Sequence, residues 1–267
     1  MQVSDLARAV TYYEQVIGLR AYETTSDTAV LGPHHAETPL VTLRTRRGLT
    51  PSRRGAFGLY HFAILLPDRG SLGRFATHLT TQNVRVGMAD HRVSEAFYLW
   101  DPDDLGIEVY ADRPRNTWQH RDREVVMTTD PLDMEGVLVA AGGRRWDGMP
   151  PGTTIGHVHL HVGNLADAEA FYHRGLGFDK MNWTYPGALF LAAGGYHHHL
   201  GTNVWAQGPS AKEHEARLLE WELRMPQAED AAAAAENLRA AGYAAREDGQ
   251  DRVAADPWGT QLRVVSR

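Results

Sequence analysis

An internal repeat restricts the possible folds of this 267-residue chain more than any other feature of its sequence. The segments VSDLARAVTYYEQVIGLR and VGNLADAEAFYHRGLGFD share the pattern V-x-(D/N)-L-x-x-A-x-x-(F/Y)-Y-x-x-x-(L/I)-G-(L/F). Asp5 and Asn164 stand at the helix N-cap of this pattern, and Gly18 and Gly177 stand at its left-handed C-terminal position. Each copy therefore predicts a helix, and short strand-like segments follow both copies.

A second pair of similar segments is offset from the first pair. GLYHFAILLPDRGSLGRFATHL and LLEWELRMPQAEDAAAAAENLRAAGY both predict a strand followed by a helix. Each then reaches an Asp-Pro turn and a final strand, in DPDDLGIEVY and DPWGTQLRVV. The whole chain thus reads as four β-α-β-β-β modules of an α+β fold, at about 1–50, 56–113, 153–207 and 216–267.

The modules form two pairs in sequence, 1–113 and 153–267, joined by a polar connector over 114–152. The connector predicts one short helix around 132–141. Alignment of the repeats shows that the first module lacks most of its opening strand. We expect that the chain starts late, within that strand.

Composition excludes several classes of function. The net charge is −6 and the basic residues form no stripe, which argues against nucleic-acid partners. The chain has no cysteine, so disulfides and thiolate metal sites are excluded, and a cytoplasmic location is expected. No signal peptide or membrane-spanning apolar run is recognisable. The 14 histidines instead point to metal chemistry with imidazole and carboxylate ligands.

The motifs GLYHFAILLPD, SEAFYLWDPDDLGIEVYADRPR, MTTDPLD, IGHVHLHV and ALFLAAGGYHHHLGTNVWA extend over most of the chain. They resemble the vicinal oxygen chelate (glyoxalase/bleomycin resistance/dioxygenase) superfamily, and more narrowly its catechol 2,3-dioxygenase, or extradiol ring-cleavage, branch. The resemblance implies that modules pair into two eight-stranded cups. It also implies a non-haem Fe(II) enzyme that cleaves a catechol-type aromatic diol with O2 in aromatic catabolism, with Mn(II) or another divalent metal as the alternative.

The resemblance places metal ligands on the opening and last strands of modules. Alignment of the second and third modules sets His61 opposite His157, and Glu108 lies in the last strand of the second module. Two histidines and one carboxylate are the facial triad of non-haem Fe(II) oxygenases. On alternation alone, Glu108 could instead face solvent. His159 and His161 share the parity of His157, so His159 is a candidate for contact with the substrate or a plain polar strand position.

The fourth module offers a poorer site. Glu220 falls near its opening-strand ligand position, and Arg263 falls near the position of Glu108. Arginine cannot bind a metal, so we expect the second and third modules to share the metal cup and the first and fourth to form a metal-free cup. A site built from His157, His199 and Glu220 is a less regular alternative.

The stretch GGYHHHLGTNVW predicts a strand in which only one face of the histidine run could serve a single site. The resemblance implies an acid–base histidine in this region, and imidazole is suited to that role near neutral pH. His198 fits the pattern best as the catalytic residue, and His199 is one residue away. Tyr110, Tyr196 and Trp205 are candidate aromatic walls for a ring substrate.

The turn before the Glu108 strand departs from the family pattern, which has glycine at the position of Asp104. Because aspartate tolerates a left-handed backbone, we expect that conformation at Asp104 and a retained ligand at Glu108.

Two other functions compete with ring cleavage. A glyoxalase-type isomerase or a resistance enzyme of this fold would need a fourth ligand, for which Gln261 and His199 are candidates. A metal-free protein that binds an antibiotic or another small molecule would need no ligand set at all. A homo-oligomer is compatible with the sequence in every case.

Overall fold

The computed structural model describes residues 1–266, which form two compact units. Unit 1 comprises 1–52, 61–157 and 213–216, and unit 2 comprises 53–60, 158–212 and 217–267. The predicted connector therefore lies in unit 1, together with the first module and residues 61–113 of the second.

The predicted helices are present, and all of them are short. They are α1 (Leu6–Tyr12), α2 (Arg69–Thr81), α3 (Met134–Ala140), α4 (Leu165–Ala168) and α5 (Ala228–Ala240). The turns Tyr13–Ile17 and Glu169–Gly175 continue α1 and α4 as π-helix, and Arg115–Thr117 is a 3₁₀ turn. Within residues 1–266, no helix has the length and apolar character needed to cross a membrane.

Residues 1–266 contain seventeen strands. Those of unit 1 and its borders are β1 (Arg20–Thr24), β2 (Thr28–Gly32), β3 (Val41–Arg44), β4 (Gly58–Leu65), β5 (Gly87–Asp90), β6 (Ser94–Trp100), β7 (Gly106–Asp112), β8 (His120–Arg121), β9 (Glu124–Val125) and β10 (Thr154–His161). The others are β11 (Asp179–Asn182), β12 (Ala188–Ala192), β13 (Leu200–Asn203), β14 (Glu220–Arg224), β15 (Ala245–Asp248), β16 (Asp251–Ala255) and β17 (Gln261–Val265).

The largest sheet has eight strands in the order β11-β12-β13-β10-β4-β7-β6-β5. It contains the strands of the second and third modules, as expected for the proposed metal cup. In each of these modules the opening strand pairs in parallel with the last strand, β4 with β7 and β10 with β13. The fourth module repeats this arrangement in the sheet β14-β17-β16-β15.

The α+β fold is confirmed, and its sheets differ from expectation in one detail. Among residues 1–266, the first and fourth modules form separate sheets of three and four strands, with no second sheet of eight. In the first module, only an isolated bridge between Gln2 and Arg44 stands where the opening strand would be. With so short a segment, no opening strand joins β1-β2-β3 to extend that sheet.

The helix ends follow the sequence pattern. The side chains of Asp5 and Asn164 accept hydrogen bonds from backbone amides in the first turn of α1 and α4. Gly18 and Gly177 have φ angles of +84° and +96°, which a glycine adopts without steric cost. The two π-helical turns were not predicted, because the repeated pattern indicates a helix without distinguishing its hydrogen-bond type.

The histidine run was wrongly assigned to a strand. β12 ends at Ala192, and Gly194 and Gly195 then turn the chain with φ angles of +61° and +66° before β13 begins at Leu200. Since the run lies in this loop, the alternation of a strand does not apply. His197 and His198 are consecutive and both buried.

Each π-helical turn presents a buried tyrosine to an Asp-Pro turn in the same unit. Tyr13 donates a hydrogen bond to Asp101 in unit 1, and Tyr172 donates one to Asp256 in unit 2, at oxygen–oxygen distances of 3.3 and 2.9 Å. The other carboxylate oxygen of each aspartate accepts two backbone amides of its own turn. Asp104 has a φ angle of +63° in the first of these turns, which confirms the expected left-handed backbone.

Burial raises the pKa of Asp101 to about 6, although its two backbone hydrogen bonds oppose this shift. An acid whose pKa is raised in the folded state contributes stability that is present below its unfolded pKa and is lost as pH rises through the folded value. We predict that the free energy of unfolding of the parent chain falls by about 2–3 kcal/mol between pH 4 and pH 7 because of Asp101. The Asp101→Asn variant should not show this fall. Urea unfolding of both proteins at several pH values, in the presence of a chelator, measures this difference. Parallel pH dependences of the two proteins would contradict the assignment.

Candidate metal centre

Strand alternation separates an apolar face from a polar face in the sheet of the second module. Phe97 on β6 packs against Phe75 of α2, with ring centroids 6.3 Å apart, and pairs with Val109 on β7. The residues of opposite parity, Tyr98 and Glu108, therefore lie on the other face, where they pair with each other.

His61, Glu108 and His157 meet on this polar face, and all three belong to unit 1. One carboxylate oxygen of Glu108, Oε2, lies 3.0 Å from Nε2 of His61 and 3.1 Å from Nε2 of His157. The ligand atoms of the three side chains lie within 4.8 Å of one another. The three residues are 2–5% exposed, so water contributes little to their solvation.

The two imidazoles dominate the electrostatics of the carboxylate. Burial alone would raise the pKa of Glu108, but His157 and His61 together hold that pKa well below its usual range. Glu108 is therefore ionised at neutral pH. A buried carboxylate is costly unless a cation or strong donors compensate it, and two neutral imidazole nitrogens and one carboxylate oxygen are a common divalent-metal ligand set.

The donor set fits an Fe(II) ion with open coordination positions. Among residues 1–266, these three side chains are the single group of three or more histidine or acidic residues with ligand atoms so close together. No fourth histidine or acidic ligand joins them within that part of the chain. Gln261, one candidate for a fourth ligand, is exposed on β17 in unit 2.

Tyr110 lies beside this centre in unit 1. It is fully buried, and its ring centroid lies 5.0 Å from that of His157. A side chain at Gly156 would overlap the Tyr110 hydroxyl group, so glycine at this position allows the tyrosine to lie against the strand that carries His157. A role of Tyr110 in substrate binding stays a prediction.

Tyr98 and His91 were missed in the sequence. The ring of Tyr98 lies 5.5 Å from that of His61, and its hydroxyl lies 2.5 Å from Nε2 of His91. Nδ1 of His91 lies 2.5 Å from the carbonyl oxygen of Thr128 and must donate to it. Nε2 of His91 consequently accepts the proton of the Tyr98 hydroxyl. Parity with Glu108 could have identified Tyr98, but no sequence pattern linked His91 to Thr128.

The remaining candidates lie in unit 2. His159 is buried, with its Nε2 3.0 Å from Nδ2 of Asn203 and its ring packed edge-on against Tyr60. Trp205 is 46% exposed and lies 5.6 Å from the ring of His159. Tyr196 stacks on His199 in the loop before β13. Their contact with a substrate stays a prediction.

The two candidate acid–base residues differ in their hydrogen bonds. Nδ1 of His198 lies 2.8 Å from Nδ1 of His197, while its ring packs edge-on against Phe190. Nδ1 of His199 accepts the backbone amide of Ala193 at 3.2 Å. Their catalytic roles stay predictions.

The fourth module carries an acidic and a basic residue at the positions that correspond to His61 and Glu108. β4 pairs Ala63 with Glu108, and β14 pairs Glu222 with Arg263, so Glu220 stands at the position of His61. Arg263 binds both carboxylate oxygens of Glu220, at 2.7 and 3.2 Å. It also contacts Asp248 at 2.9 Å and Asp251 at 3.2 Å. The Arg263 guanidinium group is thus paired with three carboxylates. Glu220 is therefore not available for the alternative metal site.

Comparison with known proteins shows the family to which the chain belongs. The family described as the Glyoxalase/Bleomycin resistance protein/Dioxygenase superfamily matches residues 1–109 and 154–263. The chain belongs to this superfamily. The expected resemblance to the catechol 2,3-dioxygenase branch is confirmed by a relative from Bacillus subtilis (strain 168) named catechol-2,3-dioxygenase. This relative is 42% identical over 252 residues, which cover 92% of this chain and 88% of the relative.

Solved structures show the same fold at low sequence identity. A provisionally assigned dioxygenase from Bacillus subtilis aligns with 99% of this chain and 82% of its own, with 12% identity and a TM-score of 0.68. Glyoxalase I from Zea mays aligns with 99% of this chain and 89% of its own, with 18% identity and a TM-score of 0.57. These likenesses support the fold, and they do not distinguish ring cleavage from isomerisation.

We predict that His61→Ala, His157→Ala and Glu108→Ala each weaken binding of a divalent metal by more than about 100-fold, the upper range for loss of an outer-shell partner. Arg263→Ala, at the position in the fourth module that corresponds to Glu108, should leave binding unchanged. Elemental analysis after anaerobic Fe(II) loading and desalting measures the retained metal. Arg263→Lys provides a second control because it keeps the positive charge. Retention of iron by the Glu108 variant would contradict the assignment.

Proposed function

We propose that this chain is a non-haem Fe(II)-dependent extradiol dioxygenase that cleaves a catechol-type diol with O2. The meeting of His61, His157 and Glu108 on one buried face carries this proposal. The 42% identity to a protein named catechol-2,3-dioxygenase supports the choice of reaction. We further propose a cytoplasmic role in aromatic catabolism, which agrees with the absence of cysteine.

His61, His157 and Glu108 would hold the metal through two imidazole nitrogens and one carboxylate oxygen. When bound, Fe(II) supplies a redox-active centre with open positions for both diol oxygens and for O2. Three ligands favour this chemistry over a glyoxalase-type site, which commonly uses four. The ionised state of Glu108 suits it to the role of anionic ligand.

Two further groups of the chain would move or hold protons. The Tyr98 hydroxyl, beside His61, donates a hydrogen bond to Nε2 of His91. The carbonyl oxygen of Thr128 sets the tautomer of His91 by accepting from Nδ1. The Tyr98 oxygen can therefore accept a hydrogen bond from a diol hydroxyl near the metal. His198 would act as base and then as acid. His199 is less suited, because the amide of Ala193 already donates to its Nδ1 and favours one fixed tautomer.

Oxygen consumption tests the proposed reaction directly. The Fe(II)-loaded chain, mixed with catechol in air, should consume one O2 for each yellow semialdehyde product formed. Glu108→Ala should reduce this rate by at least about 1,000-fold, because its effect is loss of the metal centre. The Mn(II)-loaded chain, assayed in parallel, tests the alternative metal.

The competing functions give different results in the same assays. No oxygen uptake with several substituted catechols, together with turnover of a hemithioacetal, would establish the isomerase instead. Failure to bind any divalent metal would favour the metal-free binding protein. Either result would contradict the proposed dioxygenase.

A further inference from the structure

One imidazole of the histidine run has no role in the proposed reaction. His197 is fully buried, and its Nδ1 lies 2.8 Å from Nδ1 of the next residue, His198. A neutral imidazole has one donor nitrogen and one acceptor nitrogen. The contact therefore requires one proton between the two Nδ1 atoms, and it couples the tautomers of the two rings.

The loop geometry makes this contact feasible. In a strand, consecutive side chains point to opposite faces, so neighbouring imidazoles could not meet through their ring nitrogens. The left-handed turn at Gly194 and Gly195 ends β12 and carries the run outside the ladder. Tyr196 packs on His197 with ring centroids 4.1 Å apart, and Phe190 packs edge-on against His198 at 4.9 Å.

The shared proton has two positions with different consequences for His198. When Nδ1 of His198 carries the proton, its Nε2 is the nitrogen that can accept another proton, so His198 is a base. When Nδ1 of His197 carries the proton, Nε2 of a neutral His198 bears hydrogen, so His198 is an acid. The same residue can thus present either form, and His197 takes up the positive charge once His198 has gained a proton at Nε2.

We propose that His197 is a positioning residue that switches His198 between these two forms by transfer of one proton between their Nδ1 atoms. This inference rests on the proposed function, in which His198 first removes and later returns a proton. The proton balance is simple. Nε2 of His198 gains a proton from the diol, and the Nδ1 proton of His198 passes to His197, which then carries the positive charge. Return of that proton accompanies release from Nε2 of His198.

Nitrogen NMR of the full chain tests the shared proton without any assay of activity. The chain is labelled with ¹⁵N-histidine and measured both metal-free and loaded with diamagnetic Zn(II). The two Nδ1 signals should lie between the protonated and unprotonated positions and should show scalar coupling through the hydrogen bond. Two rings with separate, fixed tautomers and no coupling would overturn the proposal.

Two variants at His197 separate its hydrogen bonding from its volume. His197→Phe keeps a ring but removes both ring nitrogens. His198 should then adopt a single tautomer. On the Fe(II)-loaded chain, kcat for catechol should fall about 100-fold, the lower end of the range of acid–base contributions, while KM changes less than about 3-fold. His197→Asn keeps a group that can hydrogen-bond to Nδ1 of His198 but cannot take up its proton, so its kcat should fall about as far as that of His197→Phe.

The outcomes distinguish this inference from the proposed function. A His197→Phe variant with an unchanged His198 spectrum and unchanged kcat would overturn the relay. If that variant fails to fold, an unchanged kcat in a folded His197→Asn variant would also overturn it. If the coupling is present but the parent chain cleaves no catechol, the relay stands and the proposed dioxygenase function fails.

Discussion

The contact on which the proposed site depends is that of one buried carboxylate with two imidazoles. Glu108 is 2% exposed and lies about 3 Å from both His61 and His157. The strands β4, β7 and β10 each contribute one residue to this contact: His61, Glu108 and His157. The parallel pairing of β4 with β7 and the position of β10 matter to the site because they bring these three side chains together. The apolar residues of opposite parity pack toward α2, and this packing fixes the direction of the polar side chains.

The repeated module explains why one chain holds a candidate metal centre in one place and a salt bridge in another. The second and fourth modules share a strand order and a register, so Glu108 and Arg263 occupy corresponding positions. In one module a carboxylate faces two imidazoles, and in the other a guanidinium faces carboxylates. A cation balances the charge in each case: Arg263 does so beside Glu220, and a bound divalent metal would do so beside Glu108.

Much of this structure could be predicted from the sequence because the repeat links short-range patterns to a known order of strands. Alignment of the modules was sufficient to select His61, His157 and Glu108, and the N-cap residues and glycines marked the helix ends. The histidine run was misassigned because its apolar neighbours suggest a strand, whereas two glycines end β12 before the run begins. Tyr98 and His91 were missed because their partnership depends on the carbonyl of Thr128, a contact distant in sequence.

An anaerobic crystal structure of the Fe(II)-loaded chain, with iron located by anomalous scattering, tests the central claim most directly. The account predicts one iron position per chain, bound by Nε2 of His61, Nε2 of His157 and a carboxylate oxygen of Glu108. An iron position at the histidine run 197–199, or beside Glu220, would contradict it.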